Sequence, residues 1–126
     1  MAPSRILVVD DQKGVRQLLE TFFTEQGMVT YLASNGEEAL ALMVDHQPDL
    51  VLMDVKMPVM DGVEALARMK EICPEQQVLM MTAYADEEKI SQLLELGAVD
   101  CLVKPLDLNQ LLQYVETLTG NSEKRF

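Results

Sequence analysis

An unbroken apolar run, Leu50 to Met53, ends at the carboxylate of Asp54. Because the run has no polar alternation, it predicts a strand buried on both faces, as in a parallel sheet covered by helices. Pro58 stops the strand from continuing, and Asp61-Gly62 marks the start of the next helix. The sequence therefore predicts a carboxylate at the end of a rigid strand. Taken alone, such an acid is most simply a solvated side chain.

Similar runs recur along the chain and alternate with helical patterns. We predict strands over Arg5–Asp10, Met28–Ala33, Asp49–Asp54, Val78–Thr82 and Val99–Val103. The second is the most alternating, which favours an edge position. Five βα repeats predict a parallel sheet with helices on both faces, joined by right-handed crossovers.

The helices show apolar stripes and end signals. The first stripe comprises Val15, Leu18, Leu19, Phe22 and Phe23. Gly27 is predicted to stop this helix. Further helices are predicted to start at a capping box of Ser34 and Glu37, and at Asp61, Asp86 and Asp107.

Composition excludes several function classes. The 126 residues fit one domain and carry a formal net charge of -11, so the surface repels phosphate backbones and direct nucleic-acid binding is not expected. No apolar run reaches membrane-spanning length, and no signal peptide is visible. Cys73 and Cys101 lack metal-ligand spacing. We therefore expect a cytoplasmic protein with reduced cysteines and no membrane contact.

Polar residues follow the predicted strands at one consistent place. Asp10 and Asp11 end the first strand, Asp54 the third and Thr82 the fourth, and Lys104 follows the fifth. The carboxyl ends of parallel strands share one edge, where ligands bind in open α/β sheets. We therefore expect these side chains to converge in one crevice.

Three carboxylates brought together require a proton or a cation among them. An all-oxygen site with few protein ligands suits Mg²⁺, which accepts phosphate oxygens. A carboxylate beside Mg²⁺, a hydroxyl and an ammonium can accept a phosphoryl group as an aspartyl phosphate. The alternative is that Asp10-Asp11 only caps the first helix.

Five short motifs carry a resemblance. These are VVDD (Val8–Asp11), MD (Met53-Asp54), MPVMDG (Met57–Gly62), MTAY (Met81–Tyr84) and KP (Lys104-Pro105). The chain resembles the receiver domain of two-component response regulators over residues 4–119, followed by a polar tail, 120–126. The resemblance implies a flavodoxin-like (βα)5 fold, a doubly wound parallel sheet of five strands in the order 2-1-3-4-5.

The resemblance also implies roles for the acidic residues. Asp54 matches the phosphorylated aspartate, and Asp11 and Asp54 match direct Mg²⁺ ligands, with Asp10 assisting. Lys56 matches the position whose main-chain carbonyl completes the metal shell.

Two further positions match the groups that contact the phosphoryl group. Thr82 matches the contacting hydroxyl, and Lys104 matches the pairing lysine, whose bond to Pro105 is usually cis in the family. The implied donor is a phosphohistidine on a sensor histidine kinase or a histidine phosphotransfer protein. Cys101 stands where many receivers carry a switch aromatic, so no aromatic switch is expected.

Within the family, the chain is most similar to the single-domain receiver of the sporulation phosphorelay; receivers of nitrogen-regulation type activators are the alternative. Partner docking in phosphorelay receivers implies a surface of Gln12, Gly14, Val15, Leu18, Pro105 and Leu106. Val15 and Leu18 fit the core stripe equally well. Lys56 and Tyr84 flank the site, where family members tune water access.

Other function classes fit less well. An aspartate-nucleophile phosphatase places a second aspartate two residues after the first, where this chain has Lys56. The phosphate of a flavin cofactor would be repelled by Asp10-Asp11 in the turn after the first strand. A receiver that signals without phosphate would lack one of the five key residues, which are all present: Asp10, Asp11, Asp54, Thr82 and Lys104. We therefore expect that the chain is not an enzyme, and that it catalyses only its own phosphorylation and dephosphorylation.

Overall fold

The computed structural model describes residues 3–84 and 86–120. Strands and helices alternate along the chain: β1 (Arg5–Val9), α1 (Lys13–Glu25), β2 (Val29–Ala33), α2 (Gly36–His46), β3 (Leu50–Asp54), α3 (Gly62–Ile72), β4 (Val78–Thr82), α4 (Glu87–Glu95), β5 (Asp100–Val103) and α5 (Leu108–Thr119). Every predicted strand is confirmed to within one residue at each end. Beyond Gly120, the predicted polar tail lies outside the described residues.

The five strands form one parallel sheet in the order β2-β1-β3-β4-β5. This confirms the flavodoxin-like fold, with β2 at an edge as its alternation predicted. β3 and β4 are buried along their whole length. Within the described chain, no helix has both the length and the apolar character needed to cross a bilayer.

Two apolar layers enclose the sheet, because successive strand residues point to opposite faces. On one face, Leu7, Val51 and Met53 pack in a cluster with residues of α2, α3 and α4. On the other face, Ile6, Leu50 and Leu52 pack in a cluster with residues of α1 and α5. The sheet is therefore doubly wound, and both ends of each central strand are fixed by packing.

The first helix buries a narrower stripe than its sequence indicated. Leu19 and Phe23 are fully buried, and Val15 is half-buried. Leu18 is 55% exposed, so the core position, one of its two interpretations, is excluded, and its place on a docking surface stays a prediction. Gly27 has a φ of 81° just beyond this helix, which confirms the predicted stop.

The predicted cap of α2 is wrong by one residue. Asn35 is the N-cap, and its side-chain oxygen accepts a hydrogen bond from the N–H of Glu38 at 2.9 Å. Glu38, and not Glu37, in turn accepts 2.7 Å bonds from the N–H and hydroxyl of Ser34. Asparagine caps as well as serine, so spacing alone did not select the right residue. The other predicted caps are confirmed at Asp61, Asp86 and Asp107.

The start of α3 packs directly on the backbone of Asp54. The N–H of Gly62 donates to the carbonyl oxygen of Val55 at 2.6 Å. A Cβ at Gly62 would lie 2.5 Å from the carbonyl oxygen of Asp54 and 2.8 Å from the Cα of Val55. Only glycine fits this approach, which fixes the end of β3.

We predict that Gly62→Ala lowers the free energy of unfolding by about 1–3 kcal/mol, because an added methyl group would displace main-chain atoms. Urea unfolding measures the change. Gly14→Ala is the matched control, since a Cβ there meets nothing within 4 Å. It should raise stability by up to about 1 kcal/mol. A Gly62→Ala variant as stable as the wild type would contradict the close approach.

Candidate functional site

Three carboxylates converge where β1 and β3 end. Oxygen atoms of Asp10, Asp11 and Asp54 all lie within 4.8 Å of one another. Asp10 is fully buried and Asp54 nearly so, whereas Asp11 is exposed. The cluster predicted from strand ends is therefore present, with one acid open to solvent.

Lys104 reaches the same cluster from the end of β5. Its Nζ lies 2.8 Å from Oδ2 of Asp10 and 3.4 Å from Oδ2 of Asp54. The main-chain N–H of Lys104 donates to the carbonyl oxygen of Thr82 at 2.7 Å, which ties the two strand ends together. The Lys104-Pro105 peptide bond is cis, as the resemblance implied.

Asp10 is held in place from three directions. Its Oδ1 accepts a hydrogen bond from the N–H of Gln12 at 2.9 Å, while Oδ2 faces Lys104. Its carbonyl oxygen accepts a 2.7 Å bond from Nη1 of Arg16, a contact that sequence reasoning missed. The side chain of Gln12, the N-cap of α1, makes no capping bond. Asp10 therefore does more than support the helix start.

Burial and charge act on the acceptor carboxylate together. Burial raises the pKa of Asp54; the ammonium of Lys104 opposes this, and the negative charge of Asp10 adds to it, so the net shift is upward. Burial lowers the pKa of Lys104, but Asp10 and Asp54 outweigh it and raise that pKa overall. These shifts favour the charged form of Lys104 and make ionisation of Asp54 less favourable than in water.

The donor set fits a hard divalent cation. Asp10, Asp11 and Asp54 offer carboxylate oxygens within reach of one ion. One ammonium does not balance three carboxylates, so a further positive charge would be favoured. Oxygen ligands of this kind, open to water on one side, are those that Mg²⁺ takes in proteins.

Thr82 lies in the same crevice but bonds to its own loop. Its hydroxyl donates to the carbonyl oxygen of Tyr84 at 3.1 Å and accepts from the N–H of Tyr84 at 3.0 Å. A cavity of about 240 Å³ is lined by Thr82 together with Asp11, Asp54 and Lys104. The structure therefore brings Thr82 to the site without a hydrogen bond to Asp54.

The mouth of the crevice is bordered by a cation–π pair. Nζ of Lys56 lies 4.2 Å from the ring centroid of Tyr84, and both residues are exposed. The sequence placed each residue beside the site but gave no sign of their contact. The pair narrows the approach to Asp54 from the β4 side.

The predicted docking residues lie together on one side of the crevice. An open apolar groove of about 270 Å³ is lined by Val15, Leu18, Pro105 and Leu106 beside Lys104. Gln12 and Gly14 are exposed at the start of α1.

The family model described as "Response regulator receiver domain" matches residues 6–116. The chain belongs to the response regulator receiver family. It is 43% identical over 116 residues to the sporulation initiation phosphotransferase F of Bacillus subtilis, covering 92% of this chain and 94% of that protein. Receivers are signalling domains, and no catalytic enzyme family is indicated.

Longer regulators and solved receivers match as well. The regulatory protein AtoC of Escherichia coli is 47% identical over 110 residues; the match covers 87% of this chain but only 24% of AtoC. The crystal structure of the CheX-CheY-BeF3-Mg²⁺ complex of Borrelia burgdorferi is similar, with a TM-score of 0.87 at 34% identity, covering 92% of this chain and 89% of that one. The fold and the family therefore agree.

We predict that Asp54→Asn raises the melting midpoint at pH 7 in the absence of divalent cations. The folded-state pKa of Asp54 lies above its ordinary 3.8, so the folded chain binds this proton more readily than the unfolded chain. Stability attributable to Asp54 therefore falls as the pH rises from about 3.8 through the raised value. The gain in the variant should shrink as the pH is lowered towards 4.

Thermal melts between pH 4 and pH 7.5 in the presence of a chelator test this. Asp45→Asn, at an exposed position on α2, controls for the loss of one surface charge. A midpoint for Asp54→Asn below that of the wild type at pH 7 would show that its contact with Lys104 outweighs burial.

Proposed function

We propose that Asp54 accepts a phosphoryl group from a phosphohistidine of a sensor histidine kinase or a histidine phosphotransfer protein. The observation that carries this is the buried carboxylate of Asp54, which lies 3.4 Å from Nζ of Lys104 and within 4.8 Å of oxygen atoms of Asp10 and Asp11 in one crevice. A carboxylate oxygen attacks phosphorus as the nitrogen–phosphorus bond breaks, and the electron pair goes to the imidazole nitrogen. The unit we propose spans residues 4–119.

Asp10, Asp11 and Asp54 would hold Mg²⁺, with the main-chain carbonyl of Lys56 as a further ligand. When bound, the cation neutralises charge on the transferred oxygens. The excess of negative charge in the cluster supports this proposal, as does the similar Borrelia burgdorferi structure, a complex with BeF3 and Mg²⁺. These three carboxylates would bring the ion next to the acceptor carboxylate of Asp54.

Lys104 and Thr82 would form hydrogen bonds with the phosphoryl group on Asp54. Lys104 already lies 3.4 Å from Asp54 and can donate to a phosphoryl oxygen. Thr82 would have to leave the carbonyl oxygen of Tyr84 to do the same. One hydrogen bond to a charged group contributes about 1.5–3 kcal/mol, whereas a complete two-state shift needs about 5.5 kcal/mol. The two residues therefore act together in the switch.

The apolar groove supports onward transfer to a helical partner. We propose that Val15, Leu18, Pro105 and Leu106, with Gln12 and Gly14 beside them, form the docking surface. The 43% identity to the sporulation initiation phosphotransferase F supports a phosphorelay role, which we place in the cytoplasm as part of the proposal. The AtoC match, which covers a quarter of that protein, supports the second candidate, a receiver attached to an activator.

The acceptor proposal predicts labelling by a small phosphodonor. Incubated with acetyl phosphate and Mg²⁺, the wild type should gain one phosphate by intact-mass spectrometry, because Asp54 supplies the nucleophile. Asp54→Asn keeps the shape and should gain none. Equal labelling of both proteins would place the chemistry on another residue.

The metal proposal predicts weaker Mg²⁺ binding in Asp11→Asn. Removing one of three ligands should raise the Kd at least tenfold, equivalent to about 1.4 kcal/mol. Without the metal, the same variant should melt higher, because repulsion in the cluster is relieved. Titrating Mg²⁺ against the melting midpoint measures both effects. An unchanged Kd would remove Asp11 from the ligand set.

A further inference from the structure

Arg16 is joined to the acidic crevice through main-chain atoms. It lies in the first turn of α1, where its own N–H donates to the carbonyl oxygen of Gln12 at 3.1 Å. From there its half-buried side chain reaches back, and Nη1 donates to the carbonyl oxygen of Asp10 at 2.7 Å. A bond from a guanidinium is charge-assisted and stronger than a bond between neutral groups. The contact therefore holds the chain where it passes from β1 to α1.

The bonded carbonyl belongs to the peptide unit between Asp10 and Asp11. That unit is planar, so the orientation of its carbonyl determines where the N and Cα atoms of Asp11 lie. The N–H of Asp10 is fixed separately, by a 3.1 Å bond to the carbonyl oxygen of Ala33 on β2. Because the N–H is tied to β2 and the carbonyl to Arg16, the backbone has little freedom at the start of Asp11.

The two acids of this pair depend on the backbone to different degrees. The Asp10 side chain is fully buried, and its two oxygens face the N–H of Gln12 and Nζ of Lys104. The Asp11 side chain is exposed, and among the described residues it forms no hydrogen bond or ion pair. One of its oxygens nevertheless lies within 4.8 Å of oxygen atoms of Asp10 and Asp54. Its place in the cluster is therefore set by the main chain.

The charge of Arg16 acts on a different acid. Two hydrogen bonds from Ser34 are the main causes that lower the pKa of Glu38, and the positive charge of Arg16 adds to them. The pKa of Asp54 is instead raised mainly by burial, and the main opposing group is Lys104, without a contribution from Arg16. The link between Arg16 and the acidic cluster is therefore the main-chain hydrogen bond.

We propose that Arg16 is a positioning residue of the proposed Mg²⁺ site and favours Mg²⁺ over Ca²⁺ there. The inference rests on the proposed metal-binding function. Mg²⁺ requires a nearly ideal octahedral arrangement of oxygen atoms, whereas Ca²⁺ tolerates irregular arrangements. A ligand placed by the main chain meets that requirement only while the peptide unit before Asp11 keeps its orientation. Arg16 supplies the bond that maintains this orientation.

Positioning and simple electrostatics predict opposite effects of removing Arg16. A positive side chain near a cation site repels the ion, so its removal alone should tighten the binding of Mg²⁺ and Ca²⁺ alike. Loss of the hydrogen bond to Asp10 should instead weaken Mg²⁺ binding, because Asp11 then departs from the geometry that Mg²⁺ requires. Ca²⁺ should lose less affinity, since it accepts the altered arrangement.

The test measures the Kd of each cation on the unphosphorylated chain, from amide NMR shifts during titration with MgCl₂ or CaCl₂. The wild type is compared with Arg16→Ala and with Arg16→Lys, which keeps the charge and a donor but loses the guanidinium fork. Arg68→Ala is the matched control, because it removes the same charge from an exposed position on α3, where Arg68 pairs with Glu64. Far-UV circular dichroism checks that each variant is folded.

We expect the Mg²⁺ Kd of Arg16→Ala to rise about tenfold, at the low end of the range for groups that orient metal ligands. Its Ca²⁺ Kd should rise by less than about threefold, so the preference for Mg²⁺ narrows. For Mg²⁺, Arg16→Lys should lie between the wild type and Arg16→Ala. Arg68→Ala should stay within about twofold of the wild type for both cations, as expected of a surface change outside the crevice.

Several results would overturn the proposal. These are an unchanged or lower Mg²⁺ Kd in Arg16→Ala, equal weakening of Mg²⁺ and Ca²⁺, a higher Mg²⁺ Kd in Arg16→Lys than in Arg16→Ala, or loss of the fold in both variants. If Arg16→Ala alone fails to fold, Arg16→Lys decides by the same comparison of the two cations. A wild type that does not bind Mg²⁺ would overturn the metal proposal as well, whereas failure of this inference alone leaves wild-type binding intact.

Discussion

Repulsion between like charges at the carboxyl edge of the sheet is the constraint on which the site depends. The register pairs Val9 with Met53, so Asp10 and Asp54 leave adjacent strands side by side. Adjacent strands are about 4.8 Å apart, which prevents the two carboxylates from separating. Lys104 is the cation that approaches both among the described residues. The free protein therefore holds unbalanced charge that an incoming cation would relieve.

The rest of the fold prevents the clustered carboxylates from moving apart. Both faces of β3 are packed, and Gly62 lies so close to the backbone of Asp54 that this backbone cannot shift towards α3. Arg16 and Gln12 hold Asp10 from the α1 side. A softer scaffold would let the acids move apart into water, and the electrostatic preference for a bound cation would weaken.

Much of this arrangement could be predicted from the sequence. The strand ends at Asp54 and Thr82 followed from apolar runs that stop at polar residues, and topology then required them to share an edge. The sequence left Leu18 open between the core and the docking surface, because a stripe of five apolar positions is wider than the face that α1 buries. The backbone of Val59 has a φ of 69°, which the sequence did not indicate, since valine does not favour a positive φ. The contact between Lys56 and Tyr84 depends on side-chain rotamers, which spacing does not determine.

The packing of Gly62 against Asp54 also has a directional consequence. One wall of the crevice is rigid backbone, whereas the opposite wall rests on the exchangeable hydroxyl bonds between Thr82 and Tyr84. A group added to Asp54 should therefore displace the wall formed by Thr82 and Tyr84 more easily than the wall formed by Gly62. The resulting displacement should therefore extend from Tyr84 towards α4, while the start of α3 keeps its position. Amide hydrogen exchange would then be fast around Tyr84 and slow around Gly62 before any ligand arrives.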